Sequence, residues 1–147
     1  MREIKFRGSP IEDYGDLKWI EGGIYLNRDD RLAYIYSDDS GVVPVHWDSV
    51  GQSAGLKDSE GNEIYDGDAI FWEIDNGVGI ESYSAVVYYS ENTEKYKGMY
   101  KWIVVYLGDF HRGEFDELRT PSRYKDSLQV FGNIYESPEL LTVSGMR

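Results

Sequence analysis

Apolar residues in this sequence come in short runs, alternating with polar residues or clustered, and each run is closed by Gly, Asp, Asn or Ser. Such punctuation leaves no stretch long enough for a core amphipathic helix. The runs are rich in Val, Ile, Tyr and Trp, whose branched or ringed side chains suit a pleated surface. Strands are predicted near 3–7, 17–26, 32–37, 42–47, 69–74, 83–89, 101–107 and 128–134, giving a mainly β fold.

Helix signals are few. "SENTEKYKG" (90–98) could turn twice before Gly98, and "GEFDELRTP" (113–121) could turn before Pro121. In "SPELL" Ser137 is placed as an N-cap with Pro138 at the first helical position, a recognised start signal. At 147 residues the chain is long enough to bury a core without staples. One domain spanning 1–147 is expected. A division into two modules would fall at "SDDSG" (37–41), between two strand-like runs.

The chain has no Cys, which removes disulfides, thiolate metal sites and Cys nucleophiles together. "MREIKFRGSP" carries charges where a signal peptide needs an apolar core, and no apolar run has the length of a membrane span. A cytoplasmic protein with no membrane partner is the expectation. The formal net charge of −12 argues against docking on phosphate backbones, which takes clustered Lys and Arg. Charge is also unevenly placed. Residues 48–94 hold eleven acids and one base, Lys57, whereas 95–125 hold seven bases and four acids. A solvated surface accounts for this; the sharper readings are head-to-tail self-association through complementary patches, or capture of a basic partner.

The densest turn chemistry lies in "GLKDSEGNEIYDGDAIFW" (55–72). Ser59, Glu60, Gly61 and Asn62 can make a tight turn between short paired segments, since Gly and Asn take positive φ at low cost. Asp66, Gly67 and Asp68 then turn the chain into an apolar strand, as small SH3-like barrels do at a corner. A calcium loop beginning at Asp58 fails, because the sixth position is Glu63 in place of Gly and the twelfth is Ala69 in place of Glu. No metal and no cofactor are expected.

Catalytic candidates are thin. His46 in "PVHWD" would share a strand face with Asp48 and is read as a half-buried structural residue; His111, near Glu114 and Asp116, is read as an exposed loop residue. The acid-x-Lys steps "EIK" (3–5) and "DLK" (16–18) lack the upstream acid that a metal nuclease needs, and "GVGI" (77–80) lacks the Lys of a phosphate loop. The one basic-aromatic patch combines Lys95, Lys97 and Lys101 with Tyr96, Tyr100 and Trp102; it is where a single strand would stack, although strand alternation should turn part of the set inward.

The start "MREIKFR", the segment "GLKDSEGNEIYDGDAI" and the late "VFGNIYESPELL" (130–141) resemble, in this order and spacing, the YopX family of phage and prophage proteins. The chain departs from the family's usual pattern in two places: Gly8, Ser9 and Pro10 stand where it has Ala and a Trp-containing step, and Ala54 stands where it has Thr. The resemblance implies a mainly β protein with an SH3-type barrel, encoded by a phage or prophage and tending to oligomerise. It carries no catalytic residues with it.

The expectation is thus a non-enzymatic interaction module, a homo-oligomer that binds an unidentified host or phage protein, with its binding residues unknown. The alternatives are a weak single-strand-binding module through Lys95, Lys97, Lys101 and the neighbouring aromatics, and an acidic DNA mimic acting on a host DNA-binding protein.

Overall fold

The short apolar runs pair with one another almost wherever they occur. A computed structural model of the protein describes residues 4–108, 110–124 and 127–140, and among these eleven strands form two antiparallel sheets. The chain divides into two compact units, Met1–Gly55 and Leu56–Arg147.

The first unit holds β1 (Phe6–Gly8), β2 (Ile20–Asn27), β3 (Leu32–Ser37), β4 (Gly41–Val45), a 3-10 turn at Trp47–Ser49, and the start of β5 (Gly51–Lys57), in the spatial order β4-β3-β2-β1-β5. β2 changes partner half-way. Ile20–Gly22 face β1 and Gly23–Asn27 face β3. Gly22 makes this corner possible, because a Cβ there would lie 1.9 Å from the Tyr36 carbonyl oxygen. Past β1 the chain meets β4: Ile11 N–H donates to the Pro44 carbonyl (3.1 Å), His46 N–H donates to the Ser9 carbonyl (2.8 Å), and Pro10 bridges to Val45. Gly8 is needed at this approach, since a Cβ would come within 2.6 Å of the Val45 side chain. Ile20, Ala33, Ile35, Val43 and Val45 form the core, with Phe6, Tyr14 and Leu26 against it.

"SDDSG" turns out to be the tight turn of the β3–β4 hairpin. Ser37 Oγ accepts the N–H groups of Asp39 and Ser40, and Gly41 takes φ 73°. The division between units falls instead inside β5.

The second unit holds β6 (Glu63–Tyr65), which neighbours β5, and a sheet of β7 (Asp68–Asp75), β8 (Ile80–Tyr89), β9 (Trp102–Tyr106), β10 (Phe115–Glu117) and β11 (Gln129–Asn133), ordered β10-β9-β8-β7-β11. Ala85–Tyr88 are buried on both faces of the sheet, as a continuous apolar run suggests. On one face Val86, Tyr88, Ile103, Val105 and Leu107 cluster with Tyr96. On the other, Trp72 lies under Tyr83, Tyr106 and Tyr124.

All eight expected strands form, with bounds shifted by a few residues; β5, β6 and β10 are additional. Neither sheet closes into a barrel through its named strands, so the barrel expected from the resemblance is not established by the pairing. The expected helix at 113–121 is replaced by β10, because Phe115, Asp116 and Glu117 find Val105, Val104 and Ile103 as partners. At 90–98 a single 3-10 turn (Ser90–Asn92) forms before Thr93 and Tyr96 are drawn inward. Glu139 and Leu140 begin a helix, with Leu140 N–H donating to the Ser137 carbonyl, and the rest of that element lies outside the described residues.

Candidate functional site

The acids of the turn-rich segment bind the protein's own backbone. Asp58 Oδ1 accepts the N–H groups of Glu60 (3.0 Å) and Asn62 (2.8 Å); its Oδ2 accepts the Asn62 amide (3.2 Å) and the Val130 N–H (2.9 Å). Burial alone would raise the Asp58 carboxyl, but these hydrogen bonds outweigh it and hold the group below its ordinary value. Four donors occupy its lone pairs, which is the physical reason it serves as a clamp in place of a calcium ligand. Asp68 Oδ2 accepts the Tyr65 N–H at 2.8 Å, while Asp66 accepts the Tyr89 N–H and the Asn92 amide. Gly61 and Gly67 take φ 87° and 92°, so the turns expected there form.

The basic-aromatic patch assembles only in part: Lys95 Nζ lies 5.5 Å from the centre of the Tyr96 ring, but two of the three rings are buried. Tyr96 is 2% exposed, donates its hydroxyl to the Gly113 carbonyl (2.9 Å) and lies against Phe115; Trp102 is 8% exposed and lies against Tyr89. Only Tyr100 of the three rings is exposed, beside the exposed Lys95, Lys97 and Lys101. One ring gives no stacking platform. The acids do not form rows either: Asp58 and Asp68 point inward, and strand alternation puts Glu73 and Glu81 on opposite faces of the β7–β8 hairpin.

His46 is exposed, not half-buried, because β4 ends at Val45 and the chain turns. Asp48, its expected companion, pairs with Arg31 at 3.0 Å. His111 is exposed as expected and sits 2.9 Å from Glu114, whereas Asp116 lies 3.9 Å from Arg119. Glu3 lies outside the described residues, and in "DLK" all three side chains are exposed. Among the described residues no group of acids and His is placed to hold a metal.

A feature the sequence did not announce lies in the second unit. A cleft of about 500 Å³ is lined by Phe71, Glu81, Tyr83, Leu107, Phe110 and His111, with Ser82 and Ser84 on its β8 wall. His111 is stacked on Tyr83, with ring centres 6.2 Å apart, and Tyr83 lies over Trp72 at 5.5 Å. The Tyr83 hydroxyl donates to Glu81, a contact that raises its ionisation, with burial adding to it. Behind it, burial first and then the Asp116 charge push Tyr106 up to about 12. The rings therefore stay neutral near pH 7 and offer faces and hydroxyls. Among the described residues the His111 imidazole is hydrogen-bonded to Glu114 and not to Ser82 or Ser84. Around the cleft, Phe110 is 95% exposed, and the β7–β8 turn presents Val78 at 97%. Alternation in "IESYSAVVYY" could have flagged the aromatic face; the cleft depends on where β9 stops, which no local pattern encodes.

A family model described as YopX protein matches residues 11–142, a span that runs through both units. No curated protein matches the chain. Among the described residues no helix is long and apolar enough to cross a membrane.

Proposed function

Since this chain belongs to the YopX family, we propose that it is a non-enzymatic interaction module of a phage or prophage, working in the host cytoplasm by binding another protein and associating with itself. One observation carries the reading: the second unit leaves large apolar side chains in water, Phe110 almost wholly exposed on the wall of a concave site, and on the β7–β8 hairpin Val78 almost wholly exposed and Ile80 at 66%. Large apolar exposure of this kind is a mark of association surfaces. The polar groups that chemistry would need are engaged elsewhere, Asp58, Asp66 and Asp68 on backbone N–H groups and His111 on Glu114.

The first unit supports the finer fold reading as well. β1, a long excursion, three strands in meander, a 3-10 turn and a strand returning beside β1 are the sequence of elements of an SH3-type barrel, and the bonds from residues 9–11 to β4 lie where such a barrel would close. The test of function is a tagged pull-down from host lysate with and without nuclease, together with light scattering on the purified chain. Nuclease-resistant retention of one or two proteins is expected; retention that vanishes with nuclease, or turnover of a substrate by the purified chain, would overturn the reading.

A further inference from the structure

β8 is the longest strand of the second unit, and only part of it is covered on one side. Its register with β9 runs from Tyr89↔Trp102 to Ala85↔Tyr106, and one further bond follows, Leu107 N–H to the Ser84 carbonyl at 2.8 Å. Residues 80–83 continue past that point, paired to β7 alone. Strand geometry says which groups are left over. Because the Ser84 carbonyl faces β9, the N–H and carbonyl of Ser82 and Ile80 face the same way. The β7 side agrees: Glu73, opposite Ser82, donates its N–H to Ser127 Oγ and accepts the Ser127 hydroxyl on its carbonyl, at 3.0 Å each, so that pair exchanges no ladder bonds. Among the described residues no backbone group meets the outward side of Ser82. That edge is a wall of the cleft, whose other wall holds Leu107, Gly108, Phe110 and His111.

We propose that residues 80–84 of β8 accept an extended peptide as an added strand, and that the peptide carries Lys or Arg. The idea rests on the reading of the chain as an interaction module and names the class of its partner. An open row of alternating donors and acceptors selects extended main chain, and alternate side chains then give specificity. On one side of the added strand they meet Phe71 and Leu107; on the other they meet Glu81 and the Tyr83 ring. Charge names the second class. From Asp58 to Glu94 the sequence contains no Lys, Arg or His, and Glu73, Asp75 and Glu81 are exposed with no ion pair among the described residues. A cationic side chain beside Glu81 gains an ion pair there. A second copy pairing through its own β7–β8 hairpin is the poorer occupant, because that hairpin is equally without cations and would bring like charge to the edge.

The test uses the full chain, amide-resolved NMR and the synthetic octapeptide Ac-Ser-Val-Lys-Val-Lys-Val-Thr-Ser-NH2. Shifts confined to residues 80–84 and to Leu107, Gly108, Phe110 and His111 are expected. Methylating the nitrogens of the second and third valines, which face β8 when both Lys lie on the Glu81 side of an antiparallel added strand, should weaken binding at least about tenfold, as expected for losing main-chain hydrogen bonds worth about 1 kcal/mol each. Ser82→Pro removes an N–H that points away from β7, so its amide spectrum should stay dispersed while binding is lost. Glu81→Gln should weaken binding by a factor of about 2 to 5 and flatten its salt dependence. Equal binding of the methylated peptide, or of a peptide with Glu in place of both Lys, overturns the proposal, as does the absence of shifts at millimolar peptide. Shifts mapping to another surface overturn this site while leaving the interaction reading standing.

Discussion

The carboxylate of Asp58 accepts the Val130 N–H at 2.9 Å across 72 positions of sequence, and so fixes β11 to the turn that precedes β6. In Asp58→Asn the new amide would point donors at donors, Val130 N–H and the Asn62 amide. Loss of about 2 to 3 kcal/mol is expected, the scale of charge-assisted bonds left unmade. The sign with pH follows. The folded carboxyl is held below its ordinary value, so its contribution is present above that value, 3.8, and disappears as pH falls through the folded one. Urea midpoints of the two proteins should differ at pH 7 and converge in acid. A constant gap across that range would mean that Asp58 acts by shape alone.

This clamp also shows what could and could not be read ahead. Gly61 and Gly67 announced their turns, because positive φ is a local demand that only a few residues meet cheaply. Val130 as the partner of Asp58 was out of reach, since the pairing is set by how β11 lies along β7. The same limit explains β10. "FDELR" has helical composition, but a ladder with β9 outweighs a weak intrinsic preference that no cap reinforces. In the Lys95–Trp102 segment, alternation did predict that rings would turn inward, and it could not say that Tyr100 alone would remain outside.

Tyr106 gives an alkaline prediction. Burial, then the Asp116 charge, raise its ionisation to about 12. A phenol whose folded value exceeds its unfolded value stabilises the fold below the unfolded value, 10.0, and that contribution drains away as pH rises toward about 12. Ultraviolet titration should show late tyrosinates, since Tyr83 and Tyr124 are raised as well; Tyr106→Phe should remove the one at about 12 and flatten the loss of stability between those limits. Ionisation of every tyrosine near the ordinary value would contradict the covered position of this ring.

Tyr96 and Tyr100 separate core from surface within five residues. Tyr96→Ala removes a buried ring and the bond to Gly113, so a cost of about 3 to 5 kcal/mol is expected; Tyr100→Ala, half exposed, should cost about 0.5 kcal/mol or less. The same pair tests the patch: neither substitution, nor Lys97→Glu, should change oligonucleotide retention at low salt, which the net charge of −12 holds near zero. Salt-sensitive retention lost in Tyr100→Ala would restore the nucleic-acid reading.

Gly22 and Gly23 are adjacent, and only one of them tolerates a methyl group. At Gly22 a Cβ would sit 1.9 Å from the Tyr36 carbonyl oxygen and 2.8 Å from its carbon, so the clash is with backbone that the β2–β3 ladder holds in place. At Gly23 the nearest atom is a Tyr36 ring carbon at 4.0 Å. Gly22→Ala must therefore open the corner where β2 passes from β1 to β3, at a cost of about 3 kcal/mol or more, while Gly23→Ala should change stability by about 1 kcal/mol or less. Thermal melting of the two variants decides it. A similar cost for both would mean that glycine is required here for chain flexibility in general, and that β2 does not carry the first unit round a fixed corner. A large gap, with Gly22→Ala alone losing the dispersion of the Ile35 and Val43 methyl signals, would locate the constraint at the single point where two ladders share one strand.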